Sequence, residues 1–306
     1  MVDLVDVVRL LDGRHSVDEA IAAYGRVLGQ LEAERRERFA SFGIDADERW
    51  PASRLFHAES AIFPGWTCPL SEEDAAELTL GMEYRSFPAA PRIALPAEVP
   101  APAGSLADIV RGRRSAPAFS DEPLEVSELS VLLQLACGVT DATAVPPRRA
   151  APSPGALYPL EAYVLALAVE GLERAVYHYA ALDHELERLH PIEDSLPLTR
   201  ILQPGLHDAT PAAMIVLTAV LPRVQRKYGE RGYRFAHLEA GHIGQNLSLV
   251  ATTLSLASRC IGGFWDEGAA RLLHLVPGEV AVYGCLLGRP SRSTHPPTHP
   301  NEQKET

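Results

Sequence analysis

Lys227 and Tyr228 stand side by side just before a long apolar stretch. An ammonium with a reference pKa of ~10.4 and a phenol of ~10 can serve as base and acid once an apolar wall brings them toward neutrality. Arg226, Glu230, Arg231 and Arg234 crowd the same residues, which equally describes a solvated helix start. Arg113, Arg114 and Ser115 put two guanidinium groups and a hydroxyl beside a helix end. That donor set suits a phosphate, because arginine binds phosphate oxygens in pairs and serine adds a short donor. A solvated basic turn has the same composition. Arg289 and Arg292 add a second cationic contact or plain surface charge. Two turns, Pro152-Ser153-Pro154-Gly155 and Gly262-Gly263, let backbone N–H groups approach a planar or anionic ligand closely. Read alone, each is an ordinary turn.

The element that must position these groups runs through residues 226–266. From Ala240 to Ser258 it carries no Asp, Glu, Lys or Arg. Ala236, Ala240, Ile243, Leu247, Val250, Leu254 and Ala257 follow one helix face. Leu249 and Leu256 lie off that face, so the helix is expected at the centre of a core or an interface. Gly241, Gly244, Gln245 and Asn246 interrupt it too often for a membrane span.

Ser16 followed by Glu19 is a capping-box start for a helix running to about Glu37. Residues 43–104 read as irregular, apart from a helix expected over Ser71–Leu80 with acids in its first turn. Pro88, Pro91, Pro96, Pro100 and Pro102 read as a stiff, exposed connector. The expected domains are a helical extension over 1–90, a connector over 91–104, a main domain over 105–290 and a disordered tail over 291–306. Within the main domain, helices are expected over 106–113 and 127–136. Strands are expected over 161–169, 212–220 and 280–287, and a hairpin over 176–190. A short helix lies around 267–275. The class is α+β, with helices covering a sheet.

The formal net charge is −12, which argues against nucleic-acid binding. Four scattered cysteines form no CxxC pair, so a zinc ribbon or disulfide scaffold is not expected. They suit a reducing compartment, and with no signal-peptide pattern at Met1-Val2-Asp3 the expectation is cytoplasmic. No HExxH, dinucleotide fingerprint or P-loop occurs.

Four phrases stand in order: RRSAPAF from Arg113, RRAAPSPGALYPLEAYV from Arg148, the run from Arg226 to Phe264, and YGCLLGRP from Tyr283. Together they resemble SagB-type dehydrogenases, nitroreductase-superfamily flavoenzymes that oxidise thiazolines and oxazolines to azoles in modified peptides. The resemblance covers Ser105 to about Pro290, with looser echoes at Phe56–Ser60 and Phe87–Pro96. Leu10 to Ile21 faintly resembles a leader-peptide-binding winged helix, and equally fits an amphipathic hairpin. The resemblance implies a nitroreductase-like fold, with a central, mostly antiparallel sheet covered by helices. It also implies a homodimer holding FMN at its interface. Arg113, Arg114, Ser115 and Arg289 would meet the phosphate and ribityl chain. Ser153, Pro154 and Gly155 would line the site from the partner subunit. Ile261, Gly262 and Gly263 would pass the isoalloxazine edge, and Lys227 and Tyr228 would be catalytic. No metal is implied. Pro117 stands where such enzymes commonly carry a second basic residue, for which Arg148 or Arg149 could substitute. The implied partners are an azoline peptide and a cyclodehydratase complex. The rivals are an NAD(P)H-dependent nitro or flavin reductase, an oxidase of carrier-bound peptides, and a non-catalytic scaffold.

Overall fold

The computed structural model describes residues 29–30, 32–41, 43–45, 51–61, 84–96, 104–193 and 210–291. It divides the chain into two units, Met1–Trp66 and Thr67–Thr306. In the first unit a helix over 32–41 buries Phe39, and Ile44 is buried just beyond it. A second helix, α1 (Pro51–Glu59), falls where the sequence reads as irregular. Arg38 and Glu59 pair at 2.5 Å. The winged-helix phrase, the expected Ser71–Leu80 helix and the tail from 292 lie outside the described residues.

The second unit is built on one antiparallel sheet. Its strands are β1 (Arg92–Ala94), β5 (Leu160–Ala166), β7 (Ala175–Ala180), β8 (Glu185–Pro191), β9 (Ala213–Val220), β10 (Ala257–Ile261) and β11 (Glu279–Gly288), in the order β1-β8-β7-β5-β9-β11-β10. Short pairs, β2 (Leu124–Glu125) with β6 (Val169–Glu170) and β3 (Val139–Asp141) with β4 (Arg148–Arg149), lie outside it. β5 and β9 sit in the middle, and their near-continuous apolar runs follow from burial on both faces. β7 and β8 form the expected hairpin.

Alternation along β5 separates two cores. Leu160, Ala162, Val164 and Ala166 join the core that contains α3 (Val126–Cys137) and α5 (Arg231–Thr253). Tyr163 and Leu165 join the second core, which contains Phe264 and residues of α6 (Asp266–Leu273). α3 starts with a reciprocal Glu125–Glu128 capping box. α2 (Leu106–Gly112) is capped by Ser105.

Three expectations are corrected. The proline-rich 91–104 connector contains β1, because Arg92–Ala94 pairs with Glu185–Glu187 and forms a sheet edge. The central helix stops at Thr253. Leu254 caps it, Ser255 takes a positive φ, and Ala257 belongs to β10 rather than to the helix face. Lys227 and Tyr228 end a separate helix, α4 (Leu221–Tyr228), and Gly229 at φ 55° breaks the path before α5. Gly244 explains one glycine of the apolar run: a methyl group there would lie 2.5 Å from the Tyr283 ring, so α5 presses directly on β11.

Candidate active site

Lys227 and Tyr228 lie at the C-terminal end of α4, both half-buried. Lys227 Nζ is 5.7 Å from the Tyr228 ring centre, and that ring meets Phe235 of α5 edge-on at 5.0 Å. The turn after β4 closes over them. A methyl group on Gly155 would sit 2.7 Å from the Tyr228 hydroxyl and 3.1 Å from Lys227 Nζ. A Cβ there would push on the ends of both side chains, and a φ of 62° independently favours glycine. Gly155 therefore approaches Lys227 and Tyr228 within one chain.

Ser153 is held from α5. Its hydroxyl donates to Glu239 Oε2 at 2.5 Å and accepts the Tyr158 N–H at 2.8 Å. Arg223 of α4 donates to the Tyr158 carbonyl at 3.3 Å. Arg149 lies between the Tyr84 and Tyr158 rings, 4.9 and 5.0 Å from their centres. Burial pushes the Glu239 carboxyl from 4.5 up to about 7, against the Ser153 hydrogen bond and the charges of Arg149 and Arg223. An acid raised on folding gives stability that is full below its unfolded pKa and is lost as pH rises through its folded one. Glu239→Gln removes that loss. At about pH 8 the variant should gain on the order of 3 kcal/mol over the wild type, and near pH 4.5 it should gain almost nothing. Urea denaturation at both pH values checks this; equal gains would show that Glu239 titrates normally.

The expected phosphate donors form a second group. The segment after α2 runs along β10: Ser115 bridges Ser258, and Ala116 N donates to Ser258 O at 2.9 Å. Arg113 is half-buried, and among the described residues its guanidinium makes no hydrogen bond or ion pair. Its charge, after hydrogen bonds from Cys285, Ser248 and Tyr283, helps hold the Cys260 thiol below its ordinary range against burial. Ile261 is buried, while Gly262 is exposed and faces open space. Arg113, Ser115 and the open Gly262 turn are spread along β10, and by their chemistry a guanidinium and a hydroxyl suit a flavin phosphate while an open glycine suits its ring edge. Two expected donors are committed elsewhere. Arg114 turns back onto the carbonyls of Arg111 and Arg113. Arg289 pairs with Glu128 at 2.6 Å and donates to Pro123 O. Arg149 is engaged at Tyr158, on the Glu239 side, and not beside Arg113.

A buried polar network was not legible in the sequence. His178 Nδ1 lies 2.8 Å from Glu187 Oε2, and its Nε2 lies 3.2 Å from Glu161 Oε2. Arg223 pairs with Glu161 at 2.6 Å, and Arg92 with Glu187 at 3.0 Å. Arg85 pairs with Glu279, which also accepts from Thr218 and Tyr163. Arg223 ties this network to α4 and hence to Lys227, one turn further on. Among the described residues no group of side chains could hold a metal ion, and no helix is long and apolar enough to cross a membrane.

Such a sheet, with helices on both faces, defines a nitroreductase-like fold. Residues 110–289, more than half of the chain, match the Nitroreductase family, and the chain belongs to that family. A Methanocaldococcus jannaschii protein named as a nitroreductase, MJ1384, is 35% identical over 170 residues, which make up 56% of this chain and 84% of that protein. The microcin B17-processing protein McbC of Escherichia coli is 34% identical over 141 residues. That match covers 44% of this chain and 51% of McbC, so it spans about half the relative's length. A chain of the E. coli microcin synthetase McbBCD complex, with truncated pro-MccB17 bound, has the same fold. Its TM-score is 0.52 at 21% identity, over 95% of this chain and 98% of that one.

Proposed function

We propose that this protein is an FMN-dependent dehydrogenase that oxidises thiazoline or oxazoline rings to thiazoles or oxazoles in a ribosomally made peptide. One observation carries the reading: Lys227 and Tyr228 converge on the Gly155 turn, so that two proton-transfer groups share one closely packed surface. The similarity to McbC, whose name describes microcin B17 processing, supports a peptide as substrate. Aromatising an azoline takes a proton from one ring carbon and a hydride from its neighbour. FMN, when bound, supplies the hydride acceptor, with dioxygen as the simplest terminal oxidant.

The chain's residues do the rest. Lys227 or Tyr228 takes the ring proton and the other orients it. The Gly155 turn and Phe235 shield the pair from water on one side. Arg113 and Ser115 hold the flavin phosphate, and Gly262 and Gly263 leave room for its ring. We assign the complete site to a homodimer, in which the Lys227 group of one protomer faces the Arg113 group of its partner. We also assign the protein to the cytoplasm, in complex with a cyclodehydratase. The fold similarity to a McbBCD chain supports that complex.

The test starts with colour. The purified protein should be yellow, dimeric and carry one flavin per subunit. Losing one charged contact to phosphate costs ~1.5–3 kcal/mol, so Arg113→Ala should copurify with far less FMN. A colourless monomer that ignores added FMN would end the reading. The match to MJ1384 favours a second reading, an NAD(P)H-dependent reductase. Rapid NAD(P)H consumption without peptide would select it.

A further inference from the structure

The turn from Ser153 to Tyr158 is strained. Gly155, Ala156 and Tyr158 have φ values of 62°, 53° and 40°, and two of these residues carry a Cβ that disfavours this region. A turn of this kind persists only if its surroundings fix it. Here Ser153 accepts the Tyr158 N–H across the turn, and the buried Glu239 accepts the Ser153 hydroxyl. Arg223 holds the Tyr158 carbonyl from the other side. The outcome is the close approach of Gly155 to the Tyr228 hydroxyl and Lys227 Nζ.

We infer that Glu239, acting through Ser153, is a positioning residue that clamps the strained turn against Lys227 and Tyr228 and so fixes the geometry of proton transfer. The inference names further residues for the site proposed above and rests on that reading. The clamp needs an acceptor at Glu239 and does not need its charge. Charged and titratable groups around it are Arg149 on β4, Arg223 on α4 and Cys137 on α3. A glutamine keeps the acceptor oxygen and the shape. Alanine removes both.

The experiment uses the full-length, FMN-loaded protein and its Ser153→Ala, Glu239→Ala and Glu239→Gln variants. The first readout is the single-turnover rate with an azoline peptide, together with KM and flavin content. A displacement of about 1 Å costs up to ~10²-fold in rate, so both alanine variants should slow by roughly that factor. The rate is taken per bound flavin, so that any loss of flavin at Ser153 does not count as lost catalysis, and Glu239→Gln should recover most of it. The second readout is the Tyr228 phenol midpoint, from ultraviolet difference titration of each protein against its own Tyr228→Phe counterpart. Both alanine variants should move that midpoint, and Glu239→Gln should not. Ser153→Ala keeps the Glu239 carboxyl, so its shift reports turn geometry rather than lost charge. Wild-type midpoints in both alanine variants would overturn the clamp. So would a glutamine variant that behaves like alanine. A wild type inert toward azolines would sink the proposed function alone, because the phenol titration still decides the clamp.

Discussion

Replacing Lys227 with alanine is expected to abolish most azoline oxidation while leaving flavin content and the dimer intact. The separation of the two groups described above is the reason. Lys227 lies at the end of α4 beside Gly155, whereas Arg113, Ser115 and Gly262 gather along β10. A positioned general base contributes ~10²–10⁴-fold, so a loss in that range is the expected effect. Tyr228→Phe keeps the ring against Phe235 and removes only the hydroxyl, so it separates proton transfer from packing. Anaerobic single-turnover loss of flavin absorbance with an azoline peptide is the measurement. If both variants react at the wild-type rate, neither residue is the base and the pair is only the charged end of a helix.

The second large effect belongs to the buried network. Glu161 is 4% exposed, and its partners His178 and Arg223 approach from a strand and a helix. Burial alone would raise its carboxyl pKa, but the His178 hydrogen bond and the Arg223 charge overcome this and hold it at about 2. Removing one member of a buried pair costs ~3–5 kcal/mol, because the other charge is left without compensation. Glu161→Ala should therefore lower Tm by roughly 6–20 °C near pH 6. The sign with pH is fixed. A depressed carboxyl contributes stability that is full above its ordinary 4.5 and is lost as pH falls toward 2. His178 runs the opposite way. Its hydrogen bonds to Glu161 and Glu187 outweigh burial and raise its pKa above 6.5. Its contribution is full below 6.5 and fades as pH rises through the raised value. The deficit of Glu161→Ala should thus be largest around pH 5–6 and shrink toward about pH 3. A deficit under ~1 kcal/mol at pH 6 would mean that Glu161 is not a buried charge partner.

These two sites differ in how far the sequence shows them. The apolar run over 213–220 and the hairpin from Ala175 to Pro191 follow directly from residue type, because strand burial demands that pattern. Lys227-Tyr228 and the Ser153–Gly155 turn are visible as motifs, but their meeting is a tertiary contact across more than seventy residues. Helix spacing continues through Leu254 and Ala257, so periodicity alone carries α5 past its end at Thr253. Backbone conformation at Ser255 decides otherwise. Glu161, His178 and Glu187 sit at alternate strand positions that read as solvent-facing. Their charges are compensated by arginines from α4 and from β1, and no local pattern announces those. Proline suggested a connector over 91–104, yet Arg92–Ala94 lies between Pro91 and Pro96 and keeps the N–H groups that the strand edge uses. Glu239 reads as one acid in a mixed stretch of helix; nothing in its neighbourhood identifies Ser153 as its partner.

β10 ends the sheet, and its outer flank is covered by the residues that follow α2. An uncovered strand flank is a template for a foreign strand, and proteins that keep one exposed tend to stick to each other. Among the described residues that cover is one bridge at Ser115 and one hydrogen bond from Ala116 to Ser258. Arg113 precedes that cover by two residues. Sheet edge and strap are thereby linked, so whatever displaces the residues after α2 also uncovers the β10 flank.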